Sequence, residues 1–310
     1  MDRNQWDDPR SPLRFKWIDE FREVKPLVLN PPSEDKTVVE LKNVRSVELN
    51  SGFDLYTGPW EENHVKHLLS RTMFGVKKED LDHFKNLSVE EAVDEIVAES
   101  PLPEPPVNNY GGINENAQDP HVTLGETWIY APHAKSKEGL LIVSLKGWLL
   151  KNSLNQKATI HEKMVLFWSN LLVTKVWDVY MAKASYQYFK LLYENALGNY
   201  KTLIKRVTID PSMLSFLNGR ANTKNAPDEN YARELQELFC VGKGPDSKYT
   251  EQDVQEAARV LTGWRFRWAP YNEEGTFTSY FDYSGHDRND KQFSSFYNNR
   301  IIEGRTGAEG

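Results

Sequence analysis

The sequence has a single cysteine, Cys240, in 310 residues, so an intrachain disulfide is impossible. A zinc site built from a cluster of cysteine thiolates is excluded for the same reason. Cys240 lies near the end of a predicted helix, between Phe239 and Val241, and this setting favours a buried structural thiol over a nucleophile. The cysteine count is compatible with an oxidising or a reducing compartment.

Long apolar runs and excess positive charge are also missing. The most apolar run, 139–150, is interrupted by Lys146 and is shorter than the roughly 20 residues that cross a bilayer, so no transmembrane helix is predicted. The first 17 residues contain no apolar core of a signal peptide. The net charge is −7 and no basic block offsets it, which argues against nucleic acid as a partner.

Several catalytic signatures are absent. The sequence contains no G-x-S-x-G, no phosphate-binding glycine loop and no H-E-x-x-H. His64 and His67 stand three residues apart on a predicted helix and could share a face toward a metal. A structural metal site needs about four ligands, however, so a hydrogen-bonded His67 is favoured and neither a metal nor another cofactor is predicted.

The densest set of local signals lies at 227–268. Pro227 and Asp228 open a predicted helix that runs to about Val241, and Gly242 ends it. Its apolar residues recur at helical spacing, at Tyr231, Leu235 and Leu238. Its charged residues follow one another at i,i+4, in the order Glu229, Arg233 and Glu237.

A second helix and a hairpin follow within the same stretch and just beyond it. Thr250 and Asp253 form a capping box that begins the helix, and Gly263 closes it. Trp264, Phe266 and Trp268 then alternate with Arg265 and Arg267, and an alternating pattern returns at Phe277, Ser279, Phe281 and Tyr283. This alternation predicts a β-hairpin attached to a helical body.

Capping boxes also predict helix starts elsewhere in the chain. Ser88 with Glu91, and Thr159 with Glu162, each precede an apolar pattern of helical period. The stretch 100–134 is predicted as a long surface loop. The fold class is therefore mainly α: a multi-helix globular domain at 61–310 with a small β-hairpin, preceded by an irregular N-terminal arm at 1–60 with possible short strands.

Particular motifs resemble the bacterial family known as domain of unknown function 1800. They are the run ENYAREL at 229–235, the phrase YTEQDVQEAARVLTGW at 249–264, and His286-Asp287 with Lys291 downstream. The segments HLLSRTMFG at 67–75 and KMVLFW at 163–168 fit the same family. The resemblance covers the chain from about Asn63 to its end.

The resemblance implies a mostly helical protein, often exported, with no established activity. It also implies a possible partner, because genes of this family often stand beside those of family 1501, whose members look like phosphatases and sulfatases. Family members extend beyond the equivalent of Gly310, so a C-terminally truncated chain is expected. Many members carry histidines in a pattern like FWHNHF; here Ser169 and Leu171 take those positions, so no role is transferred.

Seven residues are candidates for a functional site. Catalysis would fall to Glu234, His286 and Asp287, since a histidine beside an acid can act as a tuned base. The candidates for binding are His67, Asn230, Arg233 and Lys291. We expect Asn230, Arg233 and Glu234 to meet His286 and Asp287, because a buried Arg–Glu pair is costly unless other groups complete its hydrogen bonds.

Two functions remain open from the sequence. The first is a non-catalytic envelope or assembly partner, since no recognisable catalytic constellation is present. The alternative is a hydrolase-like enzyme that acts on carbohydrate or on a phosphorylated or sulfated substrate. An enzyme needs its candidate groups to converge at an open pocket, whereas a scaffold would bury them in a saturated network. The sequence assigns no compartment, because relatives are often exported and no leader is visible here.

Overall fold

The structure, a computed structural model, describes residues 55–113, 115–132, 134–267 and 277–304. About 50% of it is helical, and its strands form two small antiparallel sheets, so the predicted mainly α class is confirmed. Residues 1–54 of the predicted N-terminal arm, and Trp268, lie outside the described residues, and the predicted domain boundary stays a prediction. Across the described ranges, no helix has the length and apolar character that a membrane span requires.

Eleven α-helices and four short strands make up most of the regular structure of the described residues. The helices are α1 (Glu62–Thr72), α2 (Lys78–Phe84), α3 (Val89–Val97), α4 (Glu138–Leu154), α5 (His161–Leu171), α6 (Val176–Val179), α7 (Ala182–Glu194), α8 (Tyr200–Thr208), α9 (Pro211–Phe216), α10 (Asn230–Glu234) and α11 (Glu251–Val260). The strands are β1 (Trp264–Phe266), β2 (Ser279–Phe281), β3 (Lys291–Gln292) and β4 (Ile301–Ile302).

The first three helices pack around a small core of their own. Val65 and Leu69 of α1 meet Phe84 of α2 and Ile96 of α3, and all four side chains are buried. The predicted capping box at Ser88 is confirmed, with the Ser88 hydroxyl accepting from the Glu91 amide and the Glu91 carboxylate accepting from the Ser88 amide. The cap satisfies two amides that the first turn leaves without partners.

The main core is formed by α4, α5, α7 and α8. Leu145 of α4 and Tyr188 and Leu192 of α7 are fully or almost fully buried there. The predicted loop at 100–134 is not confined to the surface, because Trp128 is buried in this core and donates from its indole to Ser144 (3.0 Å). The loop is thereby fastened along α4.

The predicted capping box at Thr159 and Glu162 is wrong. α5 begins at His161, and the residue before it, Ile160, already has helical backbone angles and provides no side-chain cap. The Thr159 hydroxyl instead accepts from Ser100 (3.4 Å), and the Glu162 carboxylate accepts from the Tyr193 hydroxyl (2.8 Å). Both side chains form tertiary contacts that sequence spacing alone does not reveal.

The predicted helix at 228–241 forms, but its second half is a π-helix, Leu235–Cys240, that continues α10. A π turn has one more residue than an α turn, so the apolar phase changes there. Gln236 and Phe239 are buried, whereas Leu238, predicted to lie on the apolar face, is 58% exposed. Cys240 is also exposed, and the predicted buried thiol is therefore wrong.

The predicted hairpin is confirmed by the pairing of β1 with β2. The two strands are antiparallel, with Trp264 opposite Phe281 and Phe266 opposite Ser279. Gly263, just before β1, has φ +94°, and a Cβ there would lie 2.8 Å from the carbonyl oxygen of Asp282. A glycine is therefore needed where α11 turns into the hairpin.

Candidate functional site

Arg233 is held by acids near its own helix. Its guanidinium donates to the carboxylates of Glu229 (2.9 Å) and Glu251 (3.0 Å). Glu251 lies in the first turn of α11, so the pair ties α10 to the start of that helix. Hydrogen bonds to Glu251 raise the pKa of Arg233 above its ordinary value. The predicted i,i+4 pairing with Glu229 is confirmed, but Glu237 pairs with Lys243 instead (3.2 Å).

Three other candidates have side chains with few contacts. Glu234 is half-buried, and its carboxylate forms no hydrogen bond or ion pair with any described residue. Asn230 is exposed, and its backbone amide donates to the Asp228 carboxylate (2.9 Å). His67 is exposed on α1, and its ring forms no hydrogen bond within the described part of the chain. The expected hydrogen-bonded His67 is not found.

Asp287 lies at the centre of a buried network after the hairpin. Its carboxylate accepts from Arg259 Nε (2.8 Å) and from the backbone amide of Asn289 (2.8 Å). Burial raises the pKa of Asp287, but the bonds from Arg259 and Asn289 outweigh it, so the pKa lies below its ordinary value. Arg259 also donates to Glu256 (2.5 Å) and to the carbonyl oxygen of Asp290 (3.0 Å). Every guanidinium nitrogen is thus engaged.

His286 is joined to this network through Thr262. The Thr262 hydroxyl accepts from the Asp287 amide (2.8 Å) and donates to the Arg259 carbonyl (2.7 Å). Nδ1 of His286 lies 2.8 Å from the Thr262 carbonyl oxygen, which can only accept. Nδ1 therefore carries the proton, and the imidazole fastens the loop to the end of α11.

Lys291 closes the same network from β3. The side chain is buried, and Nζ donates to the carbonyl oxygen of Asp287. Burial lowers the pKa of Lys291, while the charge of Asp287 opposes that shift. The structure thus brings together His286, Asp287 and Lys291, as their order in the family phrase suggests, around Arg259 and Thr262.

The expected contact between Arg233 and the His286–Asp287 pair is not formed. Arg233 binds Glu251 at the start of α11, whereas Asp287 binds Arg259 eight residues further along that helix. At 1.5 Å per residue, this spacing is about 12 Å. The candidates therefore form two groups along α11, and the functional roles assigned to them stay predictions.

Sequence reasoning predicted Asp253 only as part of the α11 cap and missed that it also anchors the C-terminal segment. Asp253 is fully buried and accepts from both the amide and the hydroxyl of Ser294 (2.7 Å each), beyond its predicted bonds to Thr250. Burial raises the pKa of Asp253, but hydrogen bonds from Ser294 and Thr250 lower it further than burial raises it. The local signal for this role is that Asp253 stands where a capping box usually has Glu or Gln. Its partner Ser294 lies 41 residues away, so no local pattern pairs the two residues.

A second polar centre, also missed, lies where α4 and α7 begin. Glu138 is buried and accepts from the Ala182 amide, and Lys183 is buried and donates to the Ala131 carbonyl. Burial raises the pKa of Glu138 to about 7, while the hydrogen bond from the Ala182 amide and the charge of Lys183 act to lower it. Burial lowers the pKa of Lys183 to about 8, while the charges of Glu138 and Asp119 act to raise it.

Metal ligands are not clustered in the part of the chain that the structure covers. No group of three or more His, Cys, Asp or Glu side chains there is placed to hold an ion. The polar groups around Arg259 and Asp287 bond mainly to one another and to the backbone.

Comparison with known proteins identifies the family. The family model described as a protein of unknown function (DUF1800) matches residues 67–309. No curated protein and no solved structure matches the chain. Because the match spans most of the sequence, the chain belongs to the DUF1800 family.

Proposed function

We propose that this protein is a non-catalytic assembly partner of the bacterial envelope. The observation that supports it is the state of the candidate catalytic groups. Asp287 is engaged by Arg259 and Asn289, and Nδ1 of His286 is engaged by Thr262. A general base needs a lone pair that faces its substrate in a pocket. Nδ1 of His286 carries a proton and cannot serve, and Nε2, which keeps the lone pair, belongs to a residue that lines neither of the two cavities described next.

The positions of the cavities support the same proposal. Two cavities, of about 240 and 260 Å³, are lined by none of Glu234, His286 and Asp287. Catalytic groups usually line a concave pocket where a substrate is shielded from water. The network around Asp287 instead holds the segment after the hairpin against α11.

An assembly partner also needs a surface, and α4 and α6 provide one. We call it the α4–α6 surface and define it by Val143, Lys146, Leu150, Trp177 and Tyr180. Val143, Lys146 and Leu150 share one exposed face of α4 because they are three and four residues apart. Nζ of Lys146 lies 5.0 Å from the centre of the Trp177 ring, and that ring lies 6.2 Å from the ring of Tyr180.

The composition of this surface is typical of a protein interface. Trp177 is 45% exposed. Tryptophan is among the residues that contribute most to binding energy when a partner covers them. Tyr180 has φ 50°, a left-handed conformation that is unfavourable for a bulky residue and that ends α6. The charge of Lys146 favours a partner that presents a carboxylate beside an apolar centre.

The proposed partner is a protein of family 1501, as the gene neighbourhood of the family implies. The test uses the full chain and a purified 1501 protein from the same genome, with complex formation followed by light scattering and titration calorimetry. We expect a defined complex that Trp177→Ala weakens at least about tenfold. Leu238→Ala, at an exposed leucine on the π-helix, is the matched control and should bind normally.

Two outcomes would contradict the proposal. One is the absence of a complex, or a complex that Trp177→Ala leaves unchanged. The other is hydrolysis of glycoside, phosphate ester or sulfate ester substrates by the purified chain. If Glu234→Gln abolished such turnover without changing the thermal midpoint, the hydrolase alternative would replace the assembly role.

A further inference from the structure

A cavity of about 240 Å³ lies between α7, the end of α8 and the start of α9. We call it the Asp210 cavity. Its aromatic and ionisable lining residues are Tyr130, Tyr186, Lys190, Glu194, Arg206 and Asp210. The sequence analysis proposed none of these residues for a functional site, and none of them belongs to the network around Asp287.

Asp210 lines this cavity with one oxygen still available. The residue is 5% exposed, and its Oδ1 accepts from the amides of Ser212 (2.9 Å) and Met213 (3.2 Å). Its Oδ2 receives no hydrogen bond from any residue that the structure describes. This oxygen is therefore free to accept from, or donate to, a molecule in the cavity.

The hydroxyl of Tyr186 is the second polar group of the cavity that lacks a hydrogen-bond partner among the described residues. The residue is 6% exposed, and its ring packs edge-on against Trp148. Other buried tyrosines of this core donate from their hydroxyls: Tyr188 to Leu172, Tyr193 to Glu162 and Tyr231 to Thr208. The hydroxyl of Tyr186 has no such partner among the described residues.

Both groups remain accessible from the cavity. The buried side-chain atoms that lack a hydrogen bond include neither the Tyr186 hydroxyl nor Oδ2 of Asp210, so neither atom is sealed from solvent. Each residue lines the cavity, and each is more than nine-tenths buried. The cavity therefore presents two fixed polar atoms that a bound molecule could satisfy.

The charged side chains of the lining are already paired. Glu194 lies 2.6 Å from Arg206 and 3.9 Å from Lys190. Groups of both signs line the cavity, since Lys190 and Arg206 are basic and Glu194 and Asp210 are acidic, so the lining strongly favours neither a cationic nor an anionic ligand. Hydroxyl groups, which both donate and accept, match the two atoms that remain open.

We infer that the Asp210 cavity binds a small uncharged polyol of monosaccharide size. Its volume is below the roughly 300–1,000 Å³ of sites for drug-sized ligands, which limits the ligand to a small molecule. The rings of Tyr130 and Tyr186 provide apolar walls for the C–H groups of a sugar. This inference does not depend on the proposed assembly role, which concerns the α4–α6 surface.

The protonation of Asp210 suits this ligand. Burial raises the pKa of Asp210 to about 7, while the Met213 and Ser212 amides oppose that shift. Near neutral pH, the carboxyl can therefore donate as well as accept.

The experiment titrates the full chain with D-glucose, D-galactose, D-mannose and myo-inositol, followed by calorimetry and saturation-transfer NMR. We expect saturable binding of at least one of them with a Kd of about 1 mM or tighter. Tyr186→Phe keeps the ring and Asp210→Asn keeps an oxygen for the helix cap, and each should weaken binding at least about tenfold. Tyr283→Phe, at an exposed tyrosine, should bind like the wild type.

The inference is overturned if none of the four compounds binds saturably, or if Tyr186→Phe binds as tightly as the wild type. Preferential binding of methylammonium or inorganic phosphate would also overturn it, because the ligand would then be charged. Thermal midpoints of all variants separate lost binding from lost folding, and Tyr186→Phe decides the result if Asp210→Asn is unstable.

Discussion

Arg259 on α11 donates from Nε to the carboxylate of Asp287 at 2.8 Å, across 28 residues of sequence that include the hairpin. The pair is largely buried, and the backbone of Asn289 and Asp290 completes its hydrogen bonds. This pairing, rather than the predicted one with Arg233, holds the segment after the hairpin in place.

Asp287→Asn should therefore destabilise the fold. It leaves the guanidinium of Arg259 without its carboxylate partner in a mostly buried position, which should cost about 3 kcal/mol of the free energy of unfolding. Arg233→Ala removes two ion pairs nearer the surface, with Glu229 and Glu251, and should cost less than about 1 kcal/mol. Urea denaturation of both variants measures the difference, and equal costs would show that the Arg259–Asp287 pair is not the main attachment.

Phe239→Ala and Leu238→Ala test the π-helix. Because the π turn buries Phe239 and exposes Leu238, the first change should cost about 3 kcal/mol and the second less than about 0.5 kcal/mol. A continuous α-helix with Leu238 on its apolar face predicts the opposite order. Chemical denaturation of the two variants therefore discriminates between the two helix geometries.

Thr250→Ala removes the cap of α11. The Thr250 hydroxyl accepts from the Asp253 amide (3.2 Å) and donates to its carboxylate (2.9 Å), so the loss should cost about 1 kcal/mol. Thr250→Ser retains the hydroxyl and is the matched control, with nearly wild-type stability. A denaturation midpoint that is the same in both variants would mean that the cap contributes nothing measurable.

Glu138→Gln should change how stability depends on pH. The folded pKa of Glu138 is raised from 4.5 to about 7, so the folded protein keeps a proton that the unfolded chain releases in this range. Stability should therefore fall as pH rises from about 4.5 to about 7, by up to about 1.4 kcal/mol per unit from this group. The variant lacks the titrating group, so its stability should fall less steeply across the same window.

Denaturant titrations at successive pH values measure this difference between the wild type and Glu138→Gln. Glu90→Gln, at an exposed residue in the first turn of α3, is the matched control for the substitution itself. Parallel curves for the wild type and Glu138→Gln would contradict the prediction.

Local signals predicted the elements of the fold better than their contacts. Ser88 and Thr250 cap helices because the residues that complete each box are three positions away, within the same turn. Thr159 shows the same spacing, but its hydroxyl is used by Ser100, 59 residues away. Spacing therefore reveals a possible cap, while competition from distant residues decides whether it forms.

The candidate site shows the same limit. The family phrase placed His286, Asp287 and Lys291 in one group, and they do share one network. From the sequence, Arg233 could form an ion pair with any of several acidic residues. Only the packing of α10 on α11 selects Glu251. Asp210 and Tyr186 gave no signal, because a cavity depends on how α7, α8 and α9 meet.

In the π-helix at 235–240, the number of residues constrains the fold more than their identity does. Removal of one residue from 235–238 would restore an α turn and rotate the downstream chain by about 100° about the helix axis. Phe239 would then leave the core, and its carbonyl would no longer accept from the Tyr200 hydroxyl (2.5 Å). Substitutions at exposed positions of this segment should thus be tolerated across the family, whereas single-residue deletions should be eliminated by selection.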